Sequence, residues 1–395
     1  MLNRSRITLL LLSLGLAFHA YLTWHFYPVQ FGFGAGEMQC NLNSTFNCDA
    51  TTASPYSQIF GIPLSLFGAM TNVVMILLLL GAVWHVSENP DRSRRWAFHL
   101  SWIAAIASVV MAVISATLVN AYCLFCIFTY IAHIGAFVLL KKGHNISTFG
   151  ADLKELVTAK GTLSLLLVVP AGAFLFHQAL LNYYGGFEVK KLSQRTISEW
   201  KSNPQVLFDR SASLIKGMPA AGEAKMTIVE FADFRCGHCA KAAPAIKAFA
   251  AAYPDVEVRF FNFPLDGKCN PTINSGDGIS CRIAKWVHCS GKEDSNKGWS
   301  VLDEAFAKQS AIASLRQESL IDESLGKIAT QVGLSSENLL ACVNSEETQA
   351  AITRQAKIGE LAKVEGTPAI YVNGRKLPSG QVISVLKSVH AELTK

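Results

Sequence analysis

Two pairs of cysteines in this chain could do chemistry, and their surroundings differ. Cys236-Gly-His-Cys239 follows Met226–Phe231, a β-branched run suited to a buried strand, and opens an Ala- and Lys-rich stretch with helical spacing to about Tyr253. Cys123-Leu-Phe-Cys126 stands at the head of an apolar run that continues through Ile127, Phe128 and Tyr130. Two thiols three residues apart can close a disulfide or hold two electrons. At a helix N-terminus the dipole and the free N–H groups favour a thiolate. Cys236 therefore reads as the attacking and better leaving sulfur, Cys239 as the resolving one, and His238 favours the thiolate further. A zinc knuckle or an inert bridge is the alternative, but a Cys-x-x-Cys between strand and helix points to redox exchange. The second pair, at a membrane surface, implies an exchange partner that lives in lipid.

The elements that must position these pairs follow from composition. Half of the 395 residues are hydrophobic and 16% are charged, too apolar for an ordinary soluble protein. The formal net charge of +6 comes from basic residues placed mostly at the ends of apolar segments, which argues against nucleic acid as a partner. Ten cysteines, at 40, 48, 123, 126, 236, 239, 269, 281, 289 and 342, favour thiol–disulfide chemistry in an oxidising compartment. No zinc-ligand spacing surrounds them, so no metal is expected. No Gly-rich dinucleotide fingerprint appears, so no nucleotide is expected either.

Five apolar runs suit membrane spans: about 7–27, 62–86, 96–119, 121–140 and 163–181. The first could also be a cleaved signal peptide; it runs on through Trp24 and Phe26, which favours a retained span. Arg4 and Arg6, Arg92, Arg94 and Arg95, and Lys141, Lys142, Lys154 and Lys160 all fall on one side if the spans alternate. The 28–60 loop and the turn near Asn120 fall on the other and carry no Lys or Arg. The positive-inside rule then puts the N-terminus in the cytoplasm, and the 28–60 loop, the head of span four and everything after span five outside. Residues 146–225 hold the fifth span and a linker with some helix around Ser198-Glu-Trp200. From Met226 the pattern is α/β: strands at Met226–Phe231 and Val256–Phe263, several helices over 279–360, a strand at Thr367–Val372 before Asn373-Gly374, and a terminal helix from Gln381 to Leu393.

The part from about Met226 to Lys395 resembles the thioredoxin fold in its DsbA-like branch, with helices inserted between the two halves of the sheet. Gly366-Thr367-Pro368 fits that family's cis-proline loop, which faces the active pair and binds substrate backbone in strand-like fashion. The resemblance implies substrate-binding roles for His238, Thr367 and Pro368. The dipeptide Gly237-His238 is closer to disulfide isomerases than to the strongest oxidants. Residues 7–142 resemble the vitamin K epoxide reductase family. The shared features are the loop pair Cys40 and Cys48, Ser54 six residues later, Gly61-Ile62-Pro63 before a span, and Cys123-Leu-Phe-Cys126 with Tyr130 four residues on. The architecture implied is a multi-domain chain: residues 1–145 as a four-helix membrane bundle, 146–225 as a fifth span and linker, and 226–395 as a thioredoxin-fold domain with a helical insertion.

That resemblance implies roles. Cys126 would be the thiol beside a quinone and Cys123 its exchange partner. Cys48 would take electrons from Cys236, and Cys40 would pass them to Cys123. Ser54 and Tyr130 would neighbour the quinone head group, where an apolar pocket needs a few hydrogen-bond donors. Each assignment has a plainer reading: Cys40–Cys48 as a static loop staple, Ser54 as an N-cap, Tyr130 as an interfacial anchor. His99, His133 and His177 lie within spans and receive no assigned role. Cys269, Cys281, Cys289 and Cys342 allow three pairings; Cys269–Cys281 and Cys289–Cys342 as structural disulfides are favoured, and spacing alone does not choose.

The expectation is a multi-pass enzyme of the bacterial inner membrane that takes electrons from reduced secreted proteins and passes them to ubiquinone or menaquinone, forming protein disulfides. Its partners would be periplasmic client proteins, the quinone pool and the bilayer. Two other readings remain: electrons running outward to a reductase or isomerase domain, and a membrane-tethered binding or chaperone module whose disulfides are only structural.

Overall fold

The computed structural model describes residues 2–32, 38–42, 45–119, 121–216 and 224–395. Two compact units divide near Phe187. In the first, α1 (Leu2–Phe31) is followed by the short α2 (Cys48–Ala53), the two-residue strands β1 (Gln58–Ile59) and β2 (Ile62–Pro63), and α3 (Leu64–Val83). Then come α4 (Pro90–Ile114), α5 (Leu124–Leu140), α6 (Phe149–Glu155) and α7 (Lys160–Tyr183). Among the described residues, four helices are long and apolar enough to cross a membrane: Arg4–Phe31, Leu64–Val83, Lys160–Tyr183 and, counting the π-helical turn that continues α4, Pro90–Val119. The 17-residue α5 is shorter, about 25 Å at 1.5 Å per residue.

Local chemistry sets where these helices begin. Asn89 accepts from Arg92 N, Pro90 occupies the first helical position and Asp91 lies in the first turn, so α4 starts six residues before its apolar run. Leu12, Met75, Leu79, Phe98 and Ala136 meet in the bundle core. Ile106, Val109, Val110, Val138 and Leu175 are exposed, an apolar outer face that suits lipid. Two intramembrane histidines act as ties. His99 Nε2 meets Asp152 Oδ2 at 2.9 Å while Arg95 Nε donates to Asp152 Oδ1 at 2.7 Å, fastening α6 to α4. The Tyr27 hydroxyl meets His177 Nδ1 at 2.8 Å, fastening α7 to α1.

The second unit holds α8 (Gly186–Ser202), β3 (Leu214–Lys216), β4 (Met226–Ala232), α9 (Gly237–Ala252) and β5 (Val256–Asn262). Six helices follow: α10 (Ile279–Glu293), α11 (Ser295–Ala307), α12 (Gln309–Ser314), α13 (Glu318–Gln331), α14 (Ser336–Val343) and α15 (Glu346–Leu361). The chain closes with β6 (Ala369–Val372), β7 (Arg375–Lys376) and α16 (Ile383–Leu393). The sheet order is β3-β5-β4-β6-β7, with β4 parallel to β5 and the other pairs antiparallel. This is a mixed thioredoxin-like sheet with a six-helix insertion between β5 and β6. The sheet begins earlier than the sequence pattern indicates. Leu214–Lys216, read above as linker, pairs with Val258–Phe260, and Trp200 of α8 is buried with its indole donating to Val372 O at 3.0 Å. Three half-buried residues are too short a run to show alternation.

Candidate functional site

In the thioredoxin-like unit the central strand β4 delivers the cysteine pair. After Ala232 the buried Asp233 carboxylate accepts from Arg235 N at 2.6 Å and Leu265 N at 2.8 Å, shaping the turn that ends at Cys236. Cys236 is the N-cap of α9, and its sulfur is half-buried; Cys239, in the first turn, is buried. Both thiols are free, and the Cys236 thiol lies 3.3 Å from Thr367 O. The Thr367–Pro368 bond is cis. His238 is exposed beside it. Gln309 Nε2 donates to Cys236 O at 2.7 Å, linking the insertion to the pair.

The electrostatics separate the two sulfurs. Cys236 is brought down to about 5, first by the hydrogen bond from the Cys239 side chain, against burial, with Thr367 and then the amides of Cys239 and His238 at the start of α9 adding to the depression. Cys239 is pushed up, chiefly by burial and then by its neighbour Cys236. Beneath them lies Glu230 of β4, a residue the sequence reading passed over. It is buried, its Oε1 has no hydrogen-bond partner among the described residues, and burial, then Asp303 and Cys236, raise it to about 8. The available signal was an acid in an otherwise apolar strand.

In the membrane bundle Cys123 is the N-cap of α5, and its sulfur accepts from Cys126 N at 3.1 Å. The structure joins Cys123 to Cys126 and Cys40 to Cys48 as disulfides, with Cys40, Cys48 and Cys123 all buried. The loop pair is braced rather than loose. Tyr122 N donates to Thr45 O at 2.7 Å and Asn47 N to Tyr122 O at 2.9 Å, which holds the segment before Cys48 against the residue before Cys123. Asn41 Oδ1 takes Cys48 N at 2.8 Å, and Gln30 Nε2 donates to Thr52 O at 2.7 Å. Movement of this cysteine-bearing loop requires these bonds to open; Gly34, Gly36, Asn43 and the turn residue Asn120 lie outside the described residues.

Cys126, Ser54 and Tyr130 border one cavity of about 280 Å³. Its wall is mostly apolar, with Phe26, Leu64, Ile103 and Met111 among its residues. Ser54 stands at the N-cap position of the 3-10 turn Pro55–Ser57, though its side chain makes no capping bond there. It follows the last turn of α2, is buried, and donates from Oγ to Thr51 O at 2.8 Å. The Tyr130 hydroxyl meets the Ser115 side chain. His19 and His133 border the same space. His19 was not singled out from the sequence, although a histidine inside the first span is itself a signal.

Away from both sites, Cys269 pairs with Cys281 and Cys289 with Cys342. Among the described residues no three His, Cys, Asp or Glu side chains converge as a metal site would require. Residues 6–140 match the model of the vitamin K epoxide reductase family and residues 217–388 that of thioredoxin. Two relatives are "Probable disulfide bond formation protein D" of Bacillus cereus and "Disulfide bond formation protein D" of Bacillus subtilis. The first is 26% identical over 204 residues, 49% of this chain and 84% of that protein; the second is 26% identical over 168 residues, 41% and 70%. Among solved structures, oxidised BdbD from Bacillus subtilis is 21% identical with a TM-score of 0.40, over 49% of this chain and 99% of that one.

Proposed function

We propose that this chain, a vitamin K epoxide reductase family domain fused to a thioredoxin-like domain, is an oxidoreductase of disulfide bond formation with a membrane quinone as terminal acceptor. The observation that carries the reading is Cys126: a thiol of a Cys-x-x-Cys pair bordering a mostly apolar cavity in a membrane bundle. A diffusible quinone fits the cavity, whose wall is largely apolar and is bordered by the Ser54 and Tyr130 side chains. The names of the Bacillus relatives support the disulfide-forming direction.

The residues divide the work. A client thiolate attacks the Cys236–Cys239 disulfide at Cys236, forming a client–Cys236 mixed disulfide and expelling Cys239; Cys236 is the good leaving group of the next step because its thiolate is stabilised. Thr367 and Pro368 hold the client backbone, and the second client thiol releases Cys236, so the client gains a disulfide and the pair two electrons, with one proton on Cys239 and the other passing to solvent because Cys236 stays a thiolate near pH 7. Cys236 passes the electrons to Cys48, Cys40 hands them to Cys123, and Cys126 faces the acceptor. A quinone there takes up two electrons and two protons, becoming quinol. The basic residues at Arg4, Arg92–Arg95 and Lys141–Lys142 support an N-terminus in the cytoplasm and a thioredoxin-like domain outside. Purified full-length protein, supplied with a dithiol and a short-chain ubiquinone, tests this. Wild type should reduce the quinone and Cys126→Ser should not; equal rates would remove Cys126 from the reaction.

A further inference from the structure

The same cavity contains a polar group that no step above uses. His19 is 8% exposed and borders the cavity, yet neither of its ring nitrogens has a hydrogen-bond partner among the described residues. Buried polar atoms are nearly always partnered, and lipid offers no substitute for the missing bond. Four nearby hydroxyls are already used within the protein. Ser54, Thr71, Ser108 and Thr129 each donate to a backbone carbonyl at 2.8 Å, on Thr51, Phe67, Ala104 and Cys126 respectively.

The ring is held without its nitrogens being used. Gly68 of α3 leaves room for it; a methyl there would lie 2.2 Å from His19 Cε1. His133 stacks on the ring, with centroids 5.4 Å apart and planes 25° from parallel. His133 is itself fixed, with Ser108 Oγ at 3.1 Å from Nδ1 and Asn72 Oδ1 at 3.0 Å from Nε2. His133 stands seven residues after Cys126 on α5, about 10 Å along the axis. The two histidines therefore form a layer below the reactive sulfur. A six-membered ring bearing opposed oxygens can lie between, with one end toward Cys126 and the other toward His19.

We propose that His19 binds the quinone-class substrate, one ring nitrogen hydrogen-bonding an oxygen of its head group, while Gly68 and His133 position the imidazole for that bond. The proposal rests on the quinone reading above.

The test uses full-length protein with two probes, a short-chain ubiquinone and menadione, and two variants, His19→Phe and His19→Gln. Phenylalanine keeps the stack and removes the bonding nitrogens, whereas glutamine keeps a donor and an acceptor. One neutral hydrogen bond corresponds to about five- to tenfold in affinity. Expected for His19→Phe are a KM for the probe raised about five- to tenfold with kcat changed less, and loss of most of the probe-induced rise in unfolding temperature. Without probe its unfolding temperature should equal or exceed that of wild type, because an unpartnered buried polar group has gone. His19→Gln should recover most of the binding. A wild-type KM and thermal response in His19→Phe would overturn the role of His19 and leave the quinone reading standing. A lowered probe-free unfolding temperature with unchanged KM would make His19 a structural residue instead. Wild type that neither binds nor reduces either probe would refute the quinone reading, and this proposal with it.

Discussion

Removing the Cys239 sulfur should change when Cys236 titrates more than how fast it reacts. With Cys236 at about 5, about 99% of it is thiolate at pH 7, against about 1% for a thiol at its ordinary value of 9.0. Nucleophilicity falls as the pKa falls, by roughly 0.4–0.5 log units per unit, so a four-unit depression lowers the reactivity of each thiolate about 40- to 100-fold. The two effects nearly cancel at neutral pH, and the informative observable is the midpoint. The largest contributor to that midpoint is the Cys239 hydrogen bond. A hydrogen bond to a charged group is worth about 1.5–3 kcal/mol, which at 1.36 kcal/mol per unit is about one to two units. Cys239→Ala should therefore raise the Cys236 midpoint from about 5 to about 6–7, the helix-start amides holding it below the ordinary value. The two units between pH 5 and 7 correspond to about 2.7 kcal/mol favouring the reduced pair. Half-exposure of the sulfur reduces this to about 1–1.5 kcal/mol, or about 20–30 mV toward oxidant. The assay is the iodoacetamide alkylation rate of the Cys236 peptide, followed by mass spectrometry on full-length reduced protein from pH 4 to pH 9. A wild-type midpoint near 8.5–9, or the same midpoint in Cys239→Ala, would refute the reasoning.

Glu230 should make the reduced thioredoxin-like unit less stable as pH rises. Its folded value of about 8 lies above the ordinary 4.5, so the stability it confers is complete below pH 4.5 and is lost as pH rises through 8. Glu230→Gln should flatten that slope, which hydrogen exchange of β4 and β6 amides at pH 5, 6.5 and 8 would show; an unchanged slope would exclude Glu230 as its source. The Cys289–Cys342 disulfide closes a separation of 53 residues and Cys269–Cys281 one of 12. Chain entropy assigns them about 4 and about 3 kcal/mol. Paired Cys→Ser replacement should lower the unfolding temperature of the thioredoxin-like unit, more for the first pair, without altering the Cys236 midpoint.

The sites were legible in sequence where chemistry is local. A Cys-x-x-Cys between a strand and a helix, and another at the head of an apolar run, announce themselves within ten residues, and the spans follow from uninterrupted hydropathy. What the sequence hid depends on distant neighbours. The strand Leu214–Lys216 exists because β5 offers an edge, not because three residues alternate. Ser54 reads as an N-cap and does precede the 3-10 turn Pro55–Ser57, but its hydroxyl folds back on Thr51 rather than capping. Glu230 is invisible as a titrating group until Asp303 and Cys236 are packed around it. His19 is one histidine in a run of leucines until α3 presents Gly68 and α5 presents His133.

The most direct test of the account is stoichiometric. Full-length protein, an excess of a reduced client bearing one pair of thiols, and a limiting short-chain ubiquinone are mixed without oxygen, and client disulfide and quinol are both counted. The account predicts one disulfide formed per quinol, with both products absent in Cys236→Ser, Cys48→Ser and Cys126→Ser alike. Disulfide formation that continues in Cys126→Ser, or that proceeds without quinol appearing, would contradict it.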